Sequence, residues 1–334
     1  MNTFTLKKNM IITPKELQKW INEGNDFTVI DVRPENQRNE FPMDGLDTIM
    51  SENGPIPNIE GLKVLVCQFG IVTEGMIIEQ NLTDTFSLLG GAQAWNEFQS
   101  KMEDLSQWSR QTVLPEIGLD GQKRIMDATI AIIGMGGLGC PVAQALVTAG
   151  IGKLILVDGD IVELSNLHRQ PLHGIDDVGT KKVQSAEKSL EKINSDTAIE
   201  IIDGYLDESN GLDIIQKSDV VIDATDNIKT RQLIDQFSKE SNIPMIYGGL
   251  FRWEGQVAVL NVNGSPGYSD LFPDSPSGGD TCADAGVLGM LPGIIGNIQA
   301  LEAIKLIVDI KPNLVGRLLI YDGKSHQTEI IEIG

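Results

Sequence analysis

The chain has 334 residues, 41% hydrophobic and 22% charged, which fits about two soluble domains that each bury a core. A net charge of −21 disfavours a surface for nucleic-acid phosphates, and no apolar run approaches the ~20 residues that span a bilayer, so neither nucleic acid nor membrane is an expected partner. Three scattered cysteines, Cys67, Cys140 and Cys282, and a first segment without an apolar signal core predict a reducing, cytoplasmic setting.

In chain order, Thr13-Pro14-Lys15-Glu16 is a capping box with proline at the first helical position. Leu17, Trp20 and Ile21 share one face of the helix it opens. Strands are expected at 27–32 and 62–67. The Pro-, Asn-, Glu- and Gly-rich stretch 34–60 reads as mostly irregular connection. Cys67 ends the second strand, residues 68–73 make a loop, and a helix starts near Glu74. Backbone N–H groups and the positive helix end would then face the thiol. The pieces ITPKELQKWI, DFTVIDVRPENQ, VLVCQFGIVTEG and LLGGAQAWNEF resemble a rhodanese-like sulfurtransferase domain over residues 1–100. That resemblance implies a persulfide on Cys67. Two departures oppose it: Val72 stands where active members often have arginine, and Phe41-Pro42 replace a glycine–histidine region. A sulfur-carrying Cys67 and a docking module with an idle thiol both stay open.

The second segment, 101–334, has a strand at 129–133 running into Gly134-Met135-Gly136-Gly137-Leu138-Gly139. A helix at 141–148 follows, ended by Gly150, then a strand at 154–157 and Asp158. Strand-then-turn recurs at 220–224 and 244–247, and 296–308 is an apolar helix. The stretches 204–211 and 264–281 read as loops, the second long enough to suspect function. A glycine turn opening a helix offers N–H groups to phosphates, and a carboxylate about twenty residues on accepts ribose hydroxyls. As far as Asp160, an NAD enzyme is served equally well. Then come Ser165-Asn166-Leu167-His168-Arg169-Gln170, Lys182, and Asp226-Asn227. Cleavage between α- and β-phosphates needs cations against charge on the leaving pyrophosphate. Arg169 and Lys182 can supply it, and Asp226 can hold Mg²⁺ through oxygen. The bland alternatives are that Asp158 caps a turn, Lys182 is a solvated helix lysine and Arg169 is a surface ion pair.

Together SRQTVLPEIGLDGQKRI, GMGGLGCPVAQALVTAGIGKLILVDGD, VELSNLHRQPLH, VGTKKVQSA, DATDN, GGLFRWEGQ and TCADAGVLGMLPGIIGNIQALEAIK resemble the ubiquitin-activating-enzyme-like adenylyltransferases of molybdopterin and thiamine biosynthesis, over 106–330. The resemblance implies a Rossmann-like α/β domain with a mixed sheet that binds ATP and Mg²⁺. It places Gly134, Gly136, Gly137, Gly139, Asp158, Asp160, Ser165, Asn166, Leu167, His168, Arg169, Lys182, Asp226 and Asn227 at the nucleotide. Arg110 would reach a neighbouring subunit's phosphates, implying a homodimer. The substrate implied is a small ubiquitin-like sulfur carrier ending in Gly-Gly, its carboxylate attacking the α-phosphorus; a cysteine desulfurase would be an upstream sulfur donor. Cys282, in DTCADAG, is a candidate acyl or sulfur acceptor. Cys140 reads as a buried small hydrophobe. Relatives often hold zinc with two CxxC pairs, which three scattered cysteines cannot make, so no zinc is expected. Activation of a different peptide C-terminus and an NAD-dependent oxidoreductase are the competing readings.

Overall fold

The computed structural model describes residues 10–43, 45–51, 56–57, 59–103, 105–273 and 286–333. The chain divides into two compact units, Met1–Gln107 and Trp108–Gly334.

The first unit is built on five parallel strands: β1 (Ile11–Ile12), β2 (Phe27–Asp31), β3 (Thr48–Met50), β4 (Leu62–Val66) and β5 (Thr85–Leu88), in the order β1-β5-β4-β2-β3. The expected capping box starts helix Pro14–Asn22: Thr13 N–H donates to Glu16 Oε2 at 2.8 Å, and Thr13 Oγ1 accepts from Glu16 N–H. Alternate residues of β2 and β4 enter opposite cores. Val29, Val64 and Val66 pack with Leu17 and Trp95, while Ile30 and Leu65 pack with Cys67 and Ile77. Burial on both faces is what a parallel sheet demands. One expectation gains detail here and one fails. The stretch 34–60 holds a helix, Glu35–Glu40, and edge strand β3; the helix buries no residue, so it leaves no apolar period to read. The helix after Cys67 runs Ile71–Glu79, starting earlier than Glu74, because Gly70 at φ +82° turns the chain directly into it.

The second unit has an eight-stranded sheet of β6 (Thr129–Ile133), β7 (Lys153–Asp158), β8 (Ala198–Asp203), β9 (Val220–Asp223), β10 (Met245–Phe251), β11 (Glu254–Leu260), β12 (Arg317–Asp322) and β13 (Gln327–Glu332). Their order is β13-β12-β11-β10-β9-β6-β7-β8. Strands β10, β9, β6, β7 and β8 run parallel, and β10 through β13 pair antiparallel, so the sheet is mixed. Ile130 and Ile132 face one core, Ala131 and Ile133 the other.

The helix foreseen from 141 begins at Gly139. It stops at Gly150, where φ is +89° and a Cβ would lie 2.6 Å from the Trp108 ring. Only glycine fits there. The helix foreseen at 296–308 is longer, Met290–Val308, and packs on β10, β11 and helix Gly139–Thr148. By length and composition it could cross a membrane, unlike any stretch picked out in the sequence. Half of it is buried inside the unit, and its buried face carries polar anchors. Gln299 Nε2 donates to the Asp223 carbonyl at 2.8 Å, and Glu302 accepts Leu314 N–H at 2.7 Å. These contacts make it a core helix.

Candidate functional site

The parallel strands point their carboxyl ends at one side of the unit, where open α/β sheets bind ligands. A cleft of about 1060 Å³ lies there. Its floor is the glycine turn after β6. Gly134 has φ +100°, and a Cβ on it would meet the Ala224 carbonyl at 2.7 Å. Gly134 thus lets the ends of β6 and β9 close together. Asp158, at the end of β7, accepts Met135 N–H through Oδ2 at 2.7 Å and Asp160 N–H through Oδ1 at 2.8 Å. The carboxylate therefore fixes the turn it was expected to accompany, with lone pairs left over for a ligand hydroxyl.

Gly134, Gly136, Gly137, Asp158, Asp160, Ser165, Asn166, His168, Arg169, Lys182, Asp226 and Asn227 all line this cleft. Two expected contacts do not. Gly139 faces the inside of the turn: a Cβ there would sit 1.9 Å from the Gly134 carbonyl oxygen, so close packing is what requires glycine. Leu167 lies between Asn166 and His168 but is not part of the lining. Arg110 is exposed on the short helix Ser109–Thr112, away from the cleft of its own chain. Cys282 lies outside the described residues.

Lys182 opens helix Lys182–Leu190 with its side chain only 9% exposed and its Nζ 2.7 Å from Asp160 Oδ2. The solvated-lysine reading is excluded. Burial works against the Asp160 carboxylate. Lys182 and the Tyr205 hydroxyl, 2.5 Å from Oδ1, more than offset this and hold the carboxyl below its usual range. Arg169 forms no ion pair among the described residues; its Nη1 donates to the Ser165 carbonyl at 2.9 Å, which His168 Nδ1 also approaches at 2.9 Å. Its charge is available to the cleft. No described side chain pairs with Asp226, which is exposed on the loop after β9. Asn227 caps helix Ile228–Ser241 by accepting Thr230 N–H.

Further residues in and behind the cleft are assigned no functional role from the sequence. Gln170 lines the cleft and is itself buried, with Oε1 unpartnered among the described residues. Arg231 supports the Asp226 loop from below. Its Nη2 donates to the Thr225 carbonyl at 2.6 Å and the Gly248 carbonyl at 3.2 Å, and its Nε lies 3.2 Å from Asp223 Oδ2. Burial pushes the Asp223 carboxyl up, and Arg231 opposes it. Cys140 is fully buried and donates to the Met135 carbonyl at 3.4 Å; burial pushes its thiol up to about 12. It is a structural thiol.

In the first unit, Cys67 is buried at the mouth of its loop, with Gly70 N–H donating to Sγ at 3.1 Å. Burial raises the thiol pKa, but hydrogen bonds from the Thr73 backbone and hydroxyl, and from Phe69 and Val72 N–H, outweigh it and bring the pKa below the ordinary value. Arg33, in DVR, is buried against Asp31 at 2.8 Å, so its charge is spent inside the unit.

Against known proteins, the ThiF family matches residues 108–334. SAMP-activating enzyme E1 of Haloferax volcanii is 42% identical over 229 residues, 68% of this chain and 84% of that protein. The adenylyltransferase and sulfurtransferase MOCS3 of Xenopus laevis is 43% identical over 232 residues, 69% of this chain but 51% of that protein. The match therefore spans about half the length of the MOCS3 relative. Among solved structures, PaaA superposes with a TM-score of 0.60 at 28% identity, covering 78% of this chain and 81% of that one.

Proposed function

The chain belongs to the ThiF family, and on that premise we propose that it adenylates the C-terminal glycine of a small ubiquitin-like sulfur carrier with ATP, for sulfur transfer of the molybdopterin or thiamine kind. One observation carries this reading: Arg169, Lys182 and Asp226 converge with the glycine turn on a single cleft. A hydride-transfer site has no need of two cations beside the phosphates. A site that expels pyrophosphate does.

The carrier's terminal carboxylate oxygen attacks the α-phosphorus, and the bond to the pyrophosphate oxygen breaks. Turn N–H groups and the start of helix Gly139–Thr148 receive the phosphates. Asp158 holds a ribose hydroxyl. Lys182 leaves Asp160 for the phosphates, and with Arg169 takes up the charge building on the leaving group. Asp226 offers hard oxygen donors with no side-chain partner among the described residues, which fits Mg²⁺; when bound, the ion would supply neutralisation of phosphate charge. Arg110 of one protomer completes the site of a second in a homodimer, and the family's zinc is dispensed with. Intact-mass analysis of molybdopterin- and thiamine-type carriers, incubated with the protein, ATP and Mg²⁺, tests the reaction. An AMP adduct on one carrier, lost with Asp226→Ala, is expected. No adduct and no pyrophosphate with either would overturn it.

For the first unit, we read a rhodanese-like module in which Cys67 carries sulfane sulfur from a cysteine desulfurase. The lowered thiol pKa and the inward N–H groups support this, since they stabilise a persulfide anion. The terminal persulfide sulfur attacks the adenylated carbonyl and AMP departs. A second thiol, for which Cys282 is the candidate, then takes Cys67 off the acyl persulfide to release thiocarboxylate. Tethering raises the donor's effective concentration. Cys67→Ser is expected to keep adenylation and lose thiocarboxylate. Unchanged thiocarboxylate formation would sink the relay.

A further inference from the structure

We infer that Tyr205 is the platform on which the nucleotide base stacks, and that it sets a preference for purines. The inference rests on the ATP site proposed above. Strand β8 pairs with β7 on the side away from β6, with Asp203 opposite Asp158. A nucleotide with phosphates on the turn after β6 and ribose at Asp158 must therefore extend its base toward the end of β8. Residues Gly204, Tyr205 and Leu206 follow that strand and line the same cleft.

Three features make Tyr205 a built surface and not a loose loop tyrosine. First, its ring lies so close to Gly159 that a Cβ there would be 2.8 Å from Cε2 and Cζ. Gly159 has no positive φ, so ring approach, not backbone strain, is what a side chain would disturb. Second, the hydroxyl donates to Asp160 Oδ1 at 2.5 Å, and Asp160 is itself held by Lys182. Before ATP binds, the ring is thus held through a chain that ends on the phosphate-binding lysine, and the bond to Asp160 stays when Lys182 turns to the phosphates. The carboxylate pushes the phenol up to about 12, so the hydroxyl stays a neutral donor. Third, the residue is 66% exposed and no described ring packs on it. An oriented aromatic face, open toward a cleft, is what a base requires; a stacking aromatic tolerates any base but binds the larger π-face of a purine better.

The test is ATP and CTP binding by calorimetry, with KM and kcat from ATP–pyrophosphate exchange in the presence of carrier. Tyr205→Ala is expected to weaken ATP binding about 5- to 100-fold, the range of a lost base–aromatic stack, and to raise KM more than it lowers kcat. Its ATP-over-CTP preference shrinks. Tyr205→Phe, which keeps the ring and loses the Asp160 bond, recovers the greater part of the affinity. If Tyr205→Ala binds ATP as the parent does, the platform is refuted. If Tyr205→Phe is as weak as Tyr205→Ala, the hydroxyl matters and the ring does not, which refutes it as well. A parent protein that binds no ATP overturns the site reading itself, and this inference with it.

Discussion

Gly139→Ala separates two jobs that glycine does in the turn after β6. A Cβ at 139 would sit 1.9 Å from the Gly134 carbonyl oxygen, where an ordinary carbon–oxygen contact is about 3.3 Å. The carbonyl must retreat by about 1.4 Å on that comparison. It has little room, because Gly134 N–H is tied to the Val157 carbonyl at 2.8 Å and Gly134 itself abuts the Ala224 backbone. Forcing backbone apart in a packed region costs about 1–3 kcal/mol, and the upper end applies when no side chain can yield. Alanine returns about 1 kcal/mol through helix propensity. A net loss of about 2 kcal/mol corresponds to a melting temperature roughly 4–8 °C lower for a unit of this size. Gly136→Ala is the control: its Cβ would meet nothing nearer than Gln170 Nε2, at 3.7 Å, and it needs no positive φ. Thermal unfolding of both variants, with ATP binding alongside, decides the matter. Equal melting of the two variants, with equal ATP affinity, would refute the claim that position 139 is glycine for packing.

Three further outcomes follow from the same geometry. Lys182→Met should lower ATP–pyrophosphate exchange by about 10²–10³-fold, as for loss of one charge-stabilising donor, while melting shifts little because Asp160 is half-exposed and keeps Tyr205; a loss under tenfold would argue against a phosphate role. Alkylation of Cys67, followed peptide by peptide across pH, should rise at lower pH than for an ordinary thiol, because a depressed pKa enlarges the thiolate fraction near neutrality. Thr73→Val should move that rise to higher pH, and Cys140, at about 12, should stay unmodified. Arg231→Met should cost about 3–5 kcal/mol by leaving Asp223 buried without its cation, read as a melting temperature lower by roughly 6–20 °C, and Asp223→Asn in the same chain should restore part of it.

What was legible in the sequence was local. The Thr13–Glu16 box, the glycine turn and the apolar strands β6 and β7 announce themselves within a few residues, because cap, turn and strand each leave a short pattern. What was not legible either lacks a pattern or is set at long range. Helix Glu35–Glu40 buries nothing, and every residue of β13 is exposed, so neither shows an apolar period. Asp158 read as a ribose ligand, and its bond to Met135 N–H, which makes it part of the turn, depends on β6 and β7 pairing. Lys182 and Asp160 are distant in sequence, and spacing alone could not tell a buried ion pair from a solvated lysine. Tyr205 and Arg231 belong to no motif and emerge only when β8 pairs with β7 and β9 with β10.

The segment before Cys282 shows how such long-range pairs join two parts of the unit. Before Leu271-Phe272-Pro273 the chain has Gly267-Tyr268-Ser269-Asp270. Asp235 holds it: Oδ1 accepts Tyr268 N–H at 2.8 Å and Oδ2 accepts Ser269 N–H at 3.0 Å. Gly267 passes so near that a Cβ would lie 2.3 Å from Oδ1. Tyr247, Tyr268 and Phe272 then pack as a tilted ring cluster with centroids 5.0 to 5.7 Å apart. The Arg231 guanidinium lies 5.2 Å from the Tyr247 ring and 6.0 Å from Tyr268, near enough for cation–π attraction. That same guanidinium holds the Thr225 carbonyl beside Asp226. One largely buried cation thus joins the anchor of the segment before Cys282 to the loop that presents the Asp226 carboxylate. Both ends thus meet at one guanidinium, through ring contact on one side and a hydrogen bond on the other.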